Sequence, residues 1–259
     1  MKRRDFLAAS TAFGLTPLAL ASAQGAGPSD RDFIELRIYH IETEAQRRGF
    51  EEFAGAAAVP ALNRIGISPV GVFYPKKGLS PIYVILRHKS LDTFVNLVPR
   101  LSEDAEFLEK GAAFLETPAS APAYTRMESA LLRAFTGMPH IDRPITTPGR
   151  IFQLRIYESP SVLTGQKKIE MFNDAGEMEI FRRVGLHAVF FGERLVGGKM
   201  PNSTYMLSFE NEAQLKANWK KFVNSPGWQR LKTMDEYADK NILCNITNLL
   251  LKPAPYSQL

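Results

Sequence analysis

The side chains best suited to chemistry come as two matched pairs, Arg37 with Tyr39 and Arg155 with Tyr157. A spacing of two on an extended segment puts both members on one face and Leu36 and Ile38 on the other. A guanidinium beside a phenol can hold a carboxylate or a phosphate. A buried charge without a partner is costly, so each arginine demands one. Glu128 is the natural candidate for Arg37. Its counterpart in the second half of the chain is Thr247, which cannot neutralise Arg155. Arg155 therefore faces either a ligand anion or another carboxylate, with Glu170, Glu177 and Glu179 available.

His187 opens an apolar run, His187-Ala188-Val189-Phe190-Phe191. Imidazole titrates near neutrality, so His187 could act as a haem ligand or a general base. Equally it could be a hydrogen-bonded structural histidine, since Ser68 or Pro69 takes its place in the first half. His88, in Arg87-His88-Lys89, reads as solvated, His40 as a strand residue and His140 as a linker residue. No HxxxH, HxH or His-carboxylate spacing occurs, so no metal ligands are assigned. No Ser-His-Asp arrangement stands out. Leu195-Val196-Gly197-Gly198-Lys199-Met200 is glycine-rich, but it separates two strand patterns and reads as a hairpin rather than a phosphate loop. Phe190, Phe191, Tyr205, Trp219 and Trp228 could line an apolar pocket or simply fill a core. The candidate ligand-binding residues are thus Arg37, Tyr39, Arg155, Tyr157, His187, Phe191, Tyr205 and Trp228, with no catalytic residue assigned.

Composition bounds the function classes. The 259 residues suffice for two ordinary domains, and 45% apolar with 23% charged residues is the balance of a folded soluble protein. The formal charge is +5. Residues 1–23 hold three cations and one anion, net +2, so a weak +3 remains. The basic residues form no stripe and do not interleave with aromatics, which argues against nucleic-acid binding. Cys244 is the single cysteine, so neither an intrachain disulfide nor a cysteine metal cluster can form.

The chain opens Met1-Lys2-Arg3-Arg4-Asp5-Phe6-Leu7, similar to a twin-arginine export signal, with Arg3 and Arg4 as the pair. A soft apolar stretch, Leu7 to Leu20, leads to Ala21-Ser22-Ala23, a small-x-small cleavage site. The stretch is too short and polar for a stable membrane span. Residues 1–23 read as a signal peptide that engages the twin-arginine export machinery, residues 24–32 as a flexible lead-in, and the mature protein as periplasmic or extracytoplasmic.

The elements that position the candidate residues occur twice. Glu35-Leu36-Arg37-Ile38-Tyr39 recurs 118 residues later as Gln153-Leu154-Arg155-Ile156-Tyr157. Arg64-Ile65-Gly66-Ile67 answers Arg183-Val184-Gly185-Leu186, Val72-Phe73 answers Phe190-Phe191, and Pro81-Ile82-Tyr83-Val84 answers Ser203-Thr204-Tyr205-Met206. Each copy alternates period two with helical periodicity in the order strand, helix, strand, strand, helix, strand, the ferredoxin-like order. Gly66 and Gly185 sit at helix stops, where a left-handed residue is easily tolerated. The reading is an α+β protein of tandem duplicated ferredoxin-like units, at residues 33–136 and 150–259. A proline-rich linker spans 137–149. The bare sheet face of each unit would be a large apolar patch, so the copies should cover each other in one barrel or swap with a second chain. A homo-oligomer is expected.

These segments resemble the NIPSNAP family of the dimeric α+β barrel superfamily. Leu36-Arg37-Ile38-Tyr39, Leu154-Arg155-Ile156-Tyr157, the two helix-ending glycines, Ser225-Pro226-Gly227-Trp228 and Leu249 to Ser257 carry the likeness, which covers nearly all of residues 33–257. Two features depart from it: Ile246-Thr247-Asn248 replaces the Met127-Glu128-Ser129 type of segment, and Phe107 stands where the first copy should carry a tryptophan. The resemblance implies the barrel fold more strongly than any activity. Three functions follow as expectations: a barrel that binds a small, mostly apolar molecule or a protein partner; a haem-dependent or cofactor-free oxidative enzyme of the monooxygenase kind; or a structural oligomerisation module. The inequality of the halves directs the search for a pocket to the second, beside Arg155 and His187.

Overall fold

The computed structural model describes residues 30–259; the export-signal reading, Arg3 and Arg4 included, lies outside the described residues. Eight antiparallel strands close into one barrel, with helices packed on its outside. In the first half, β1 (Phe33–His40) leads to α1 (Glu44–Phe53), a π-helical turn at Ala54–Ala58, and α2 (Val59–Arg64). Next come β2 (Val70–Pro75), β3 (Ile82–His88), α3 (Leu91–Val95), α4 (Leu97–Ser102), α5 (Ala105–Leu115) and β4 (Arg126–Ala134). The second half runs β5 (Ile151–Glu158), α6 (Val162–Asn173), α7 (Glu177–Val184), β6 (His187–Val196) and β7 (Asn202–Phe209). It ends with α8 (Glu212–Asn224), α9 (Pro226–Leu231), α10 (Asp239–Ile242) and β8 (Asn245–Pro253).

Round the barrel the order is β1-β3-β2-β8-β5-β7-β6-β4. Each half therefore contributes four contiguous strands, joined to the other through β2–β8 and β4–β6. Among the described residues, no helix is long and apolar enough to cross a membrane.

Local sequence explains where the elements start and stop. Thr43 caps α1 by accepting from the Gln46 amide, and the Gln46 side chain accepts from the Thr43 amide. Ser161 caps α6 in the same way with Thr164. Gly66 and Gly185 hold φ of 84° and 80°, the left-handed conformation that ends a helix without a Cβ clash. The glycine-rich segment 197–198 lies between β6 and β7, as a hairpin requires.

Strand alternation divides the core in two. Ile34, Leu36, Phe73, Tyr83, Ile85, Leu132, Phe152, Leu154, Phe190, Met206 and Leu251 point inward and fill the barrel. Packed side chains therefore occupy the middle of the barrel axis. The outward faces of β1–β3 meet α1, α2, α4 and α5, and those of β5–β7 meet α6–α9.

The register corrects the sequence alignment of the two halves. Val84 pairs with Arg37, and Tyr205 pairs with Arg155. Val72 pairs with Val84, and Phe191 with Tyr205. Thus Val84, not Tyr83, answers Tyr205, and Val72, not Phe73, answers Phe191. A bulge in β6 between Ala188 and Phe190 adds one residue, and a one-residue slip moves every later side chain to the opposite face.

Candidate functional site

Glu35, Arg37 and Tyr39 share the outward face of β1. Arg37 Nε donates to Glu35 Oε1 at 2.5 Å and Nη2 donates to Oε2 at 3.2 Å. The Ser129 hydroxyl donates to Oε1 at 2.7 Å, and His88 Nε2 lies 3.1 Å from Oε2. Glu35 is 2% exposed and His88 is fully buried. Burial alone would push the Glu35 carboxyl up. The hydrogen bond from His88, the Arg37 guanidinium and the Ser129 hydroxyl outweigh it and hold the carboxyl at about 2. Burial likewise raises the Tyr39 phenol, opposed by Arg37.

This cluster corrects two expectations. Arg37 pairs with Glu35 rather than Glu128. The register places Glu128 opposite Ile38, so its side chain lies on the barrel's inner side, at the mouth, where it pairs with His40 at 2.9 Å. His88 is not solvated. It caps the carboxylate from below, with Nδ1 3.3 Å from the Thr93 hydroxyl. Neither Glu35 nor His88 stood out in the sequence as part of a site; the available signal was Glu35 two residues before Arg37 on one strand face.

Arg37 and Tyr39 reach one end of a cavity of about 340 Å³ between β1–β3 and the helices of the first half. Its walls are Phe50, Phe53, Phe107 and Phe114 from the helices and Val72 and Val84 from the sheet. Ala54 and Ala58, in the π-helical turn, leave space where larger side chains would close it. The volume falls in the range of small-molecule sites, which are mostly apolar with a few placed polar groups. Arg37, Tyr39, Ser102 and Tyr124 are the polar members here.

The matching space in the second half is filled. Phe191 and Tyr205, where the first half has Val72 and Val84, stack at 5.0 Å. Phe172 and Phe181 pack on them at 5.1 Å and 5.8 Å. The Tyr205 hydroxyl donates to that of Tyr157 at 2.9 Å. Both phenols are fully buried, which raises each of them. Trp228 packs on Phe222 at 4.6 Å as part of the same core.

Arg155 finds no carboxylate partner among the described residues. Glu170 pairs with Lys167, Glu179 with Arg182 and Arg183, and Glu177 with the buried Lys168 at 3.0 Å. Gln153 stands where the first half has Glu35. It accepts from Trp219 Nε1 at 2.7 Å and donates to Asn248 at 2.9 Å. The Arg155 guanidinium instead lies over the Trp219 and Tyr157 rings, at 4.7 Å and 5.2 Å from their centroids.

His187 is not brought to Arg155. It borders a separate cleft of about 440 Å³ with Asp142, Arg182 and Phe191, and its Nε2 donates to the Arg143 carbonyl at 2.7 Å. The second-half cleft thus includes His187 and Phe191 but not Arg155, and a separate cavity lies in the first half beside Arg37 and Tyr39. No histidine or cysteine lines that cavity, so its residues do not offer the imidazole or thiolate by which haem iron is commonly held. No group of three or more metal-ligating side chains occurs among the described residues.

Comparison with known proteins finds a family match over part of the chain. Residues 152–258 match the NIPSNAP family. The NIPSNAP match thus spans β5 to β8, the half in which the cavity is filled. No curated protein matches the chain. A candidate monooxygenase from Lactobacillus acidophilus superposes with TM-score 0.58 over 86% of this chain and 94% of its own, at 9% identity. An anthrone oxidase-like protein does so with TM-score 0.53 over 87% and 92%, at 7% identity. At such identities the likeness is one of fold: an α+β protein with a closed antiparallel eight-stranded barrel. A NIPSNAP-like domain protein from Burkholderia xenovorans aligns with 42% of this chain and 90% of its own, at 17% identity and TM-score 0.36.

Proposed function

We propose that this protein binds a small, mostly apolar molecule in the first-half cavity, with a polar oxygen of the ligand set against Arg37 and Tyr39. The observation that carries the reading is the inequality of the halves: Val72 and Val84 leave open what Phe191 and Tyr205 fill. Glu35 neutralises Arg37 and fixes its fork, so the site favours a carbonyl or hydroxyl acceptor over a free multiply charged anion. Among the cavity's lining residues no carboxylate, imidazole or thiol can serve as a base near neutral pH, which favours binding over catalysis.

In this reading the chain is a tandem of two ferredoxin-like, NIPSNAP-type units, residues 33–136 and 150–259, joined by the linker 137–149. Its Arg3–Arg4 segment directs twin-arginine export to the periplasm, and the folded protein self-associates. Strand order within each half supports the duplication, since 4-1-3-2 in the first is matched by 8-5-7-6 in the second.

The test is native mass spectrometry of the full chain recovered from the periplasmic fraction, followed by solvent extraction of anything bound. A co-purifying apolar molecule, lost from a cavity-filled variant, is expected. An empty protein that also binds nothing from a lipid and quinone panel contradicts the reading.

A further inference from the structure

Packed side chains fill the middle of the barrel, and a cavity opens at one mouth. There Leu36, Ile38, Ile156 and Leu249 floor a cavity of about 220 Å³ whose rim holds Arg194 and Lys199. Arg194 faces this space from β6, opposite the inward Leu132. It is only 7% exposed. One of its nitrogens, Nη1, donates to the Gly198 carbonyl at 2.6 Å and so ties down the β6–β7 hairpin. The other two, Nε and Nη2, are buried and have no hydrogen-bond partner among the described residues.

Such an arrangement is expensive in a folded protein. A buried guanidinium normally spends its donors on a carboxylate or on carbonyls. Here no carboxylate comes within salt-bridge distance of Arg194 among the described residues. Glu128 is committed to His40 at 2.9 Å, and Glu158 accepts from Asn245 at 2.7 Å. Nε and Nη2 form the side edge of the fork, the pair that meets a carboxylate in two parallel hydrogen bonds. Lys199 supplies a second cation across the mouth, with Nζ 3.2 Å from the Thr247 hydroxyl and 3.9 Å from Glu158.

We propose that the barrel mouth is a second ligand site, which takes a small monocarboxylate with a short apolar chain. The carboxylate takes the Nε–Nη2 edge of Arg194, which is closed to solvent in this structure, so the β6–β7 hairpin held by the Nη1–Gly198 bond shifts to admit it, and the chain lies on Leu36, Ile38, Ile156 and Leu249. The nearby acidic groups Glu128 and Glu158 set the charge class. They balance Arg194 and Lys199, so a monoanion leaves the mouth with one net negative charge and a phosphate dianion with two, which favours the monoanion. The small volume sets the size class, below that of most drug-sized sites. The site is independent of the first-half cavity: it lies on the other side of the sheet and shares no lining residue with it.

Isothermal titration of the full chain with hexanoate, and with hexanamide as its uncharged match, tests this. Hexanoate should saturate one site per chain, and hexanamide should bind about tenfold weaker or more, because the charge-assisted pair of bonds is lost. R194K keeps the charge but removes the planar fork, and should weaken hexanoate by about tenfold. K199M, at the rim, guards against an R194K protein that fails to fold; it should weaken hexanoate by about threefold as a screened rim charge is lost. V84Y, which fills the other cavity, should leave hexanoate binding unchanged. Equal affinities for hexanoate and hexanamide, no binding of either, or hexanoate binding that is lost in V84Y and kept in both R194K and K199M would overturn the assignment.

Discussion

Val84 stands opposite Arg37 in the first half of the barrel, and Tyr205 stands opposite Arg155 in the second. The two arginines come from matching strands, yet one reaches an open cavity and the other lies against aromatic rings. A difference of one aromatic ring at this position, with a second at Val72 and Phe191, separates a site from a core.

Filling the first-half cavity should therefore stabilise the fold. V72F and V84Y each place an aromatic ring into existing space, and cavity filling commonly contributes about 0.5–2 kcal/mol. Denaturant unfolding of the ligand-free protein measures it. A loss of stability would mean that the cavity walls cannot accept the ring.

The Glu35 cluster gives the fold an acid limit. The carboxyl has an ordinary value of 4.5 and is held at about 2 in the fold. A carboxyl lowered by folding stabilises above its unfolded value and loses that contribution as pH falls. The stabilisation, about 3 kcal/mol for a shift of this size at a buried group, should be complete above pH 4.5 and should fade toward pH 2. E35Q should lower stability at neutral pH by about 3–5 kcal/mol, since it strands a mostly buried guanidinium. It should also flatten the acid limb of a stability-against-pH curve. An unchanged acid limb in E35Q would assign the acid sensitivity elsewhere.

Lys168 and Glu177, 1% and 2% exposed, form a buried pair in the second half. Breaking it singly, as K168M or E177Q, should cost about 3–5 kcal/mol, because K168M strands the buried Glu177 carboxylate and E177Q leaves Lys168 only Asp239, at 3.9 Å. The double change K168M/E177Q should cost clearly less than the sum of the single changes. Additive losses in the double-mutant cycle would show that the two groups do not interact.

The helix-ending glycines should not tolerate a side chain equally. At Gly66 a Cβ meets nothing within 4 Å, so G66A should cost only the left-handed conformation, about 1–2 kcal/mol. At Gly185 a Cβ would also come within 3.2 Å of Asn218 Nδ2, whose amide donates to the Gly185 carbonyl at 2.8 Å. G185A should be the more destabilising of the two by chemical denaturation. Equal losses would show that Asn218 yields freely.

Much of the architecture was readable from residue order. The Arg-x-Tyr strands, the helix-ending glycines and the Gly197–Gly198 hairpin lie where alternation and turn chemistry put them. The site was less readable, for two physical reasons. Partner choice across a sheet depends on register, and the one-residue difference between Ser129 and Glu128 decides which of them faces Arg37. A bulge carries no strong sequence mark, so the extra residue at Ala188–Phe190 shifted the apparent match of Phe191 from Val72 to Phe73. His88 looked solvated between Arg87 and Lys89, but alternation puts it on the outward face of β3 with Val84 and Leu86, where Glu35 and Phe94 cover it. Arg194 carries no mark of a site in Gly192-Glu193-Arg194, yet its strand position turns it into the barrel mouth.

The central claim, that the first-half cavity holds an apolar ligand and its second-half counterpart does not, rests most directly on one titration. N-phenylnaphthylamine fluorescence would be followed on the unmodified chain and on V72F and V84Y. Saturable binding to the unmodified chain, weakened by about tenfold or more in both filled variants while they remain folded, is the predicted result. Equal binding by all three proteins, or none by the unmodified chain, would contradict it.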